Sequence, residues 1–430
     1  MYCVDDLHIT NDVLPLLDFT LNPYAHSELV RLLNAEGISI ETIFYRQAIL
    51  KGMQANRELL QRYSYNKNDF IEVYFFLEKL LKEPKAKGLN KWLKLWFDKK
   101  GYLRLRPRVV QSIQLLHRLY GRYFAELKIG AYPEKFQGRL HRITEFLASL
   151  QTAGHNDDII ENRFGKHKLQ AFVDTFIHRI TKDTLAEFWA LFFEFEAYLS
   201  LAKAIDNYGF VFPVVNQDGK KELMMRGFYH PKLKTPVKND VQLKESNVLL
   251  LTGPNMSGKS TLLKAIGICV YLAHCGMAVP ANEAVLPYFQ NMVIAINAKD
   301  DLENGYSHFM QEVVTLKQAV LAARQGSTFA VFDELFKGTN VEDALVISAR
   351  TINGLSRFVS SCFLVSTHLH ALKASIEAGI STFSLSCTIT ANVPVFNYRL
   401  VPGWSDLKIG QFIFEHEGLN ELLGSKQGSH

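Results

Sequence analysis

The chain of 430 residues is poor in the features that staple, anchor or unfold a protein. Its five cysteines (Cys3, Cys269, Cys275, Cys362 and Cys387) are scattered, with no C-x-x-C pair and no Cys/His grouping at zinc spacing. That argues against a disulfide scaffold or a zinc site and for free thiols in a reducing compartment. No stretch reaches the roughly 18 uninterrupted apolar residues of a membrane helix; the best candidate, Leu185 to Ala204, carries Glu187, Glu194 and Glu196. The first ten residues, MYCVDDLHIT, are acidic where a secretion signal is basic and then apolar. A cytoplasmic protein without a membrane partner is therefore expected. Repeats and low-complexity tracts are also missing, and 48% hydrophobic with 21% charged residues excludes disorder.

What is present is unevenly distributed. The net charge of +5 combines +7 over residues 1–235 with −2 over residues 236–430, and residues 79–142 alone hold 17 basic against 4 acidic side chains. The first half reads as helical: in Asp69–Leu81, apolar residues Phe70, Val73, Tyr74, Leu77, Leu80 and Leu81 recur at three- and four-residue spacing. Pro84, Gly88, Gly101, Pro107, Gly130 and Pro133 are expected to punctuate these helices. Short β-like runs at Phe210–Val215 and Leu223–Met225 mark a change of character. From there strands alternate with helices: Asn247–Thr252, Phe329–Phe332 and Cys362–Ser366 as strands, Lys259–Leu272 and Val341–Leu355 as helices, and a late hairpin at Thr382–Thr390 and Val395–Val401. Such alternation predicts a mainly parallel sheet covered on both faces. The expected architecture is multi-domain, a mainly α-helical region over 1–204 followed by an α/β domain over 205–430.

The α/β half opens on a phosphate-binding pattern. Gly253-Pro254-Asn255-Met256-Ser257-Gly258-Lys259-Ser260 fits G-x-x-x-x-G-K-[ST], directly after an apolar strand and before a helix that starts with Thr261. Glycines let backbone N–H groups turn inward as an anion nest, and the helix N-terminus adds its positive dipole end. Lys259 would reach the β- and γ-phosphates of a nucleoside triphosphate, and Ser260 would hold Mg2+. About 75 residues later a second apolar strand ends in Asp333-Glu334. Asp333 would face the magnesium through water, and Glu334 would polarise the attacking water as general base. A third strand ends in Thr367-His368, placing a histidine where it can hydrogen-bond a γ-phosphate. His370 is expected to face solvent.

Four segments together, GPNMSGKST (253–261), DDLENGYSHFMQE (300–312), FDELFKGTN (332–340) and STH (366–368), resemble the nucleotide-site motifs of MutS-type ATPases, in the same order. Tyr398 to Gly403 (YRLVPG) extends the resemblance, which is weaker at Phe19–Leu33 and Phe44–Leu60, similar to the helical core that precedes the ATPase domain in that family. It implies ATP with Mg2+ as ligands and a shared site between two chains. In it Ser307 would touch the γ-phosphate of the opposite subunit, Asn340 would line the dimer seam, and Tyr398 would stack on adenine. Asn255 and Ser257 would line the triphosphate pocket. This sequence departs from the pattern at His308, where threonine is usual, and at Lys337 and Asn340. Pro236 to Asp240 lacks the aromatic common before that Asn-Asp pair. The resemblance further implies that the mismatch-reading domain and its Phe-x-Glu wedge are missing and that the clamp arms are short. Phe193-Glu194-Phe195-Glu196 is read as structural.

The basic stretch 79–142 is a candidate surface for double-stranded DNA, since each neutralised phosphate releases condensed counterions. Lys91, Lys94, Lys99 and Lys100 would form its exposed face, with Trp92 and Trp96 packed inward. The favoured reading is a dimeric MutS-like ATPase coupled to duplex DNA, in repair or recombination and without mismatch specificity. The alternative is an ATP-driven switch acting on a protein partner. A transporter ATPase subunit fits less well, because S-x-F-M-x-E is not the transporter signature L-S-G-G-Q.

Overall fold

The computed structural model describes residues 1–34, 36–82, 99–216, 222–254, 256–296, 308–390, 393–405, 414–415 and 417–424. Two compact units emerge: Leu17–Leu33 with Tyr45–Asn207, and Met1–Leu16 with Asn34–Phe44 and Tyr208–His430. The division is less simple than a cut near 205. That position lies inside one long helix, and two N-terminal segments pack with the C-terminal half.

The first unit is helical. Its principal helices are α1 (Lys67–Lys82), α2 (Lys99–Arg122) and α3 (Lys182–Tyr208). Helix α3 is buried on nearly every side because its apolar residues, Phe188, Trp189, Phe192, Phe193 and Phe195 among them, run all round its surface. Phe70 from α1 stacks on Phe192 at 5.7 Å between ring centroids, and Phe146 on Phe188 at 4.1 Å. Each buried phenylalanine contributes roughly 1.5–3 kcal/mol. Phe193 to Glu196 belong to this packing: Glu194 is ion-paired with Arg139, and Glu196 is buried.

Pro107 does not end a helix as expected but lies within α2. A proline there removes one hydrogen bond, to the carbonyl four residues earlier. That residue, Leu103, is exposed, as is Pro107, so the break lies on the outer side of α2. Lys91, Lys94, Trp92 and Trp96 lie outside the described residues, as do the side chains of Lys99 and Lys100. No described helix is long and apolar enough to cross a membrane.

The second unit holds two sheets. In chain order the strands are β1 (Tyr2–Cys3), β2 (Val214–Asn216), β3 (Leu223–Phe228), β4 (Asn239–Leu243), β5 (Val248–Thr252), β6 (Glu283–Pro287), β7 (Asn291–Ala295), β8 (Thr328–Phe332), β9 (Cys362–Thr367), β10 (Ser381–Thr390) and β11 (Val393–Pro402). The larger sheet has the order β1-β7-β8-β9-β5-β10-β11, parallel except for the terminal β10–β11 hairpin. The smaller has the order β2-β6-β3-β4. Strands β5, β8 and β9 are buried at every position, as expected of central parallel strands covered on both faces.

Helices α4 (Lys259–His274), α5 (His308–Gln325) and α6 (Val341–Leu355) accompany the sheet. Ala319 and Ala323 of α5 and Ile352 and Leu355 of α6 share one core with the strand residues Val248, Leu250, Ala330, Phe332, Phe363 and Val365. Gly267 of α4 approaches Leu7 so closely that a Cβ there would lie 2.7 Å from its Cδ2. In register, Thr252 stands opposite Thr367 and Phe332 opposite Val365. Three strands thus end at one edge, and the loops that follow them converge.

Candidate nucleotide site

The loop after β5 turns through left-handed backbone at Met256 (φ 69°) and Gly258 (φ 95°). A side chain at Gly258 would be strained by its φ and would meet the Tyr398 ring at 3.1 Å. Gly258 is the N-cap of α4 and brings no capping side chain, so first-turn N–H groups remain available to an anion. Ser257 is buried, and its hydroxyl has no hydrogen-bond partner among the described residues, which suits it to a phosphate oxygen. Asn255 lies outside the described residues.

Lys259 is only 4% exposed and donates to the carbonyls of Gly253 and Pro254, each at 2.9 Å. Its ammonium also lies 3.1 Å from Glu334 Oε1. Beside it, the Ser260 hydroxyl donates to Asp333 Oδ2 and the Ser366 hydroxyl to Asp333 Oδ1. The Glu334 amide in turn donates to Ser366 Oγ at 2.9 Å. Ser260 and Asp333 offer hard oxygen donors of the kind Mg2+ takes, one hydroxyl and one carboxylate. The residues fit the ion.

Glu334 is 6% exposed and held in left-handed backbone at φ 55°, a conformation that costs a non-glycine residue roughly 1–3 kcal/mol. It is paired with Lys337 as well as Lys259, and His368 Nδ1 lies 3.8 Å away. Burial alone would raise its carboxyl pKa, but Lys337 and Lys259 outweigh burial and hold it below the ordinary value. Burial lowers the His368 pKa, Glu334 opposes that shift, and the two lysines reinforce it.

Next to the loop is a cavity of about 350 Å³, lined by Thr261, Leu262, Phe228, Tyr229, Val237 and Tyr398 among others. Asn239 fixes one wall: its Nδ2 donates to the Tyr398 carbonyl at 3.0 Å, and its Oδ1 accepts from the Leu400 amide at 2.7 Å. Two aromatics from β3 and just after it, Phe228 and Tyr229, line this cavity, whereas residues 236–240 contribute none. Sequence reasoning missed both, because nothing local ties them to the loop. Ser366 was missed too, although it stands in the quoted STH triplet.

Three other residues singled out in the sequence lie away from these contacts or outside the described residues. Asn340 caps α6, accepting from the Asp343 amide at 2.8 Å. Ser307 lies outside the described residues, and His370 is exposed at the start of a 3-10 turn.

Residues 249–421 match the family model for MutS domain V. The DNA mismatch repair protein MutS of Halalkalibacterium halodurans is 30% identical over 239 residues, 54% of this chain and 27% of that protein. Its namesake in Geobacillus thermodenitrificans is 32% identical over 236 residues, 53% of this chain and 26% of that protein. Over this stretch the chain is similar to MutS proteins. Its match spans about a quarter of the length of these MutS relatives. The loop, the acidic pair and Tyr398 all fall inside the MutS domain V segment.

Proposed function

We propose that this chain is a Mg2+-dependent ATPase, hydrolysing ATP to ADP and phosphate at sites shared by two copies. The observation that carries this reading is the convergence of Lys259, Ser260, Asp333 and Glu334 on one edge of the sheet, beside a buried Ser257 hydroxyl with no partner among the described residues. Ser257 and the first-turn amides of α4 bind phosphate oxygens, and Lys259 exchanges Glu334 for the β- and γ-phosphates. Ser260 and Asp333 would hold Mg2+, which would supply charge neutralisation at those phosphates. Losing Lys259 as a partner removes one of the two cations that hold the Glu334 pKa down, which makes it a stronger base, and it accepts the proton of the attacking water. His368 donates toward the γ-phosphate, and Tyr398 stacks on adenine. Ser307 of each copy completes the other's site, with Asn340 along the seam.

We further propose that turnover is coupled to duplex DNA through the basic stretch 79–142. Helix α2 has no acidic residue in 24. Its exposed Arg104, Arg108, Arg118 and Arg122 form no ion pair among the described residues. Arg139 and Arg142, by contrast, are occupied by Glu194 and Glu187. This local neutralisation favours the second reading, a switch acting on a protein partner. ATPase rate with and without duplex DNA, at two salt concentrations, decides between them. Stimulation that vanishes at high salt supports DNA coupling, whereas a rate indifferent to DNA supports the protein partner. A protein that fails to bind ATP–Mg2+ overturns both.

A further inference from the structure

Glu312, the last residue of the S-x-F-M-x-E segment, lies in the second turn of α5 and is buried to 7% exposure. Its Oε2 accepts from the backbone N–H of Phe336 at 2.7 Å. Phe336 is itself buried and sits at φ 66°, two residues after Glu334 at φ 55°. A carboxylate is a stronger acceptor for such an amide than a neutral group. The same stretch of α5 meets the loop at a second point: a Cβ on Gly338 would lie 2.9 Å from Phe309 Cβ and 3.1 Å from its backbone nitrogen. The Phe309 and Phe336 rings are 6.1 Å apart between centroids. Glu334 therefore stands between two anchors, Ser366 at its own amide and Glu312 at the amide two residues on.

We propose that Glu312 is a positioning residue, fastening the strained turn after β8 to helix α5 so that the Glu334 carboxylate faces Lys259 and His368. The role rests on the ATPase reading above. Without the anchor the two left-handed residues relax and Glu334 swings from its station, while the glycine loop, which Glu312 does not touch, keeps its shape. Chemistry suffers and nucleotide binding does not.

The test compares Glu312→Ala, Glu312→Gln and Glu312→Asp by kcat and by the Kd of a fluorescent ATP analogue with Mg2+. Glu312→Ala is expected to lower kcat about 100-fold, the scale of a 1 Å misplacement, with Kd changed less than about twofold. Glu312→Gln keeps an oxygen acceptor for the Phe336 amide and restores most of the rate. A normal kcat in Glu312→Ala, an equal loss in kcat and affinity, or a Gln variant as slow as Ala each overturns the proposal. If the Ala variant does not fold, Glu312→Asp decides, because its arm is one methylene shorter: a slowed kcat supports the anchor and a normal one overturns it. Wild-type protein that binds the analogue but never hydrolyses ATP defeats the ATPase reading, and this role with it.

Discussion

Both units of the protein bury glutamates, and Glu334 and Glu196 are handled in opposite ways. Glu334, at the edge of the parallel sheet, faces two lysines and stays below its ordinary pKa despite burial. Glu196, 2% exposed in the helical unit, accepts from Tyr63 at 2.8 Å, from Tyr65 at 2.8 Å and from Asn22. There burial prevails over these hydrogen bonds and the pull of Lys203, and its pKa is pushed up to about 7. Neutral donors satisfy a carboxylate without cancelling the cost of its charge, whereas cations next to it do cancel that cost. The arrangement at Glu196 suits a structural tie, and the one at Glu334 stores a charge that phosphate can release.

The comparison breaks most visibly at Lys259. Lys259→Ala should abolish ATP binding, a loss of at least about 100-fold in affinity by titration of a fluorescent analogue, because a cation on the phosphates is lost. Unchanged affinity would remove the phosphate loop from the site. Glu334→Gln should retain binding while hydrolysis drops about 100-fold or more, the usual worth of a general base. Normal single-turnover rates would sink that assignment.

On the helical side the expected effects fall on stability. Glu196→Ala leaves two tyrosine hydroxyls and the Asn22 amide without their acceptor, and a loss of about 3 kcal/mol is expected in urea unfolding, with ATP turnover per folded molecule unaltered. A folded-state pKa raised above that of the unfolded chain means stability is greatest at low pH and declines as pH rises from about 4.5 to about 7. Glu196→Gln should flatten that decline when unfolding is measured at pH 5 and pH 8. An undiminished slope would show that another group carries it. The smallest effect concerns Lys337→Ala, which removes one cation from Glu334. The acid limb of the ATPase pH profile should move to higher pH; an unmoved limb would mean that Lys259 alone sets the charge.

Much of the second unit was legible residue by residue. Strands β5, β8 and β9 could be read as apolar runs, and the loop from Gly253 to Ser260 from its spacing, since both are written in consecutive positions. Pro107 was misread because its tolerance depends on which side of α2 meets water. The membership of residues 1–16 in the α/β unit was likewise invisible. It depends on pairing Tyr2 with Met292 and on the Asp6 carboxylate accepting from the Ile296 amide at 2.7 Å.

By itself, then, the sequence determined the glycine turn, the helix that follows it and the acids that follow β8, because each is a local conformation selected by neighbours in the chain. Tertiary structure alone decided that Ser366 holds Asp333 across 33 residues, that Glu312 holds Phe336 across 24, and that Asn239 pins Tyr398 across 159. Those partners follow from the order in which the strands assemble and the edge at which they end. Spacing along the chain carries no record of either.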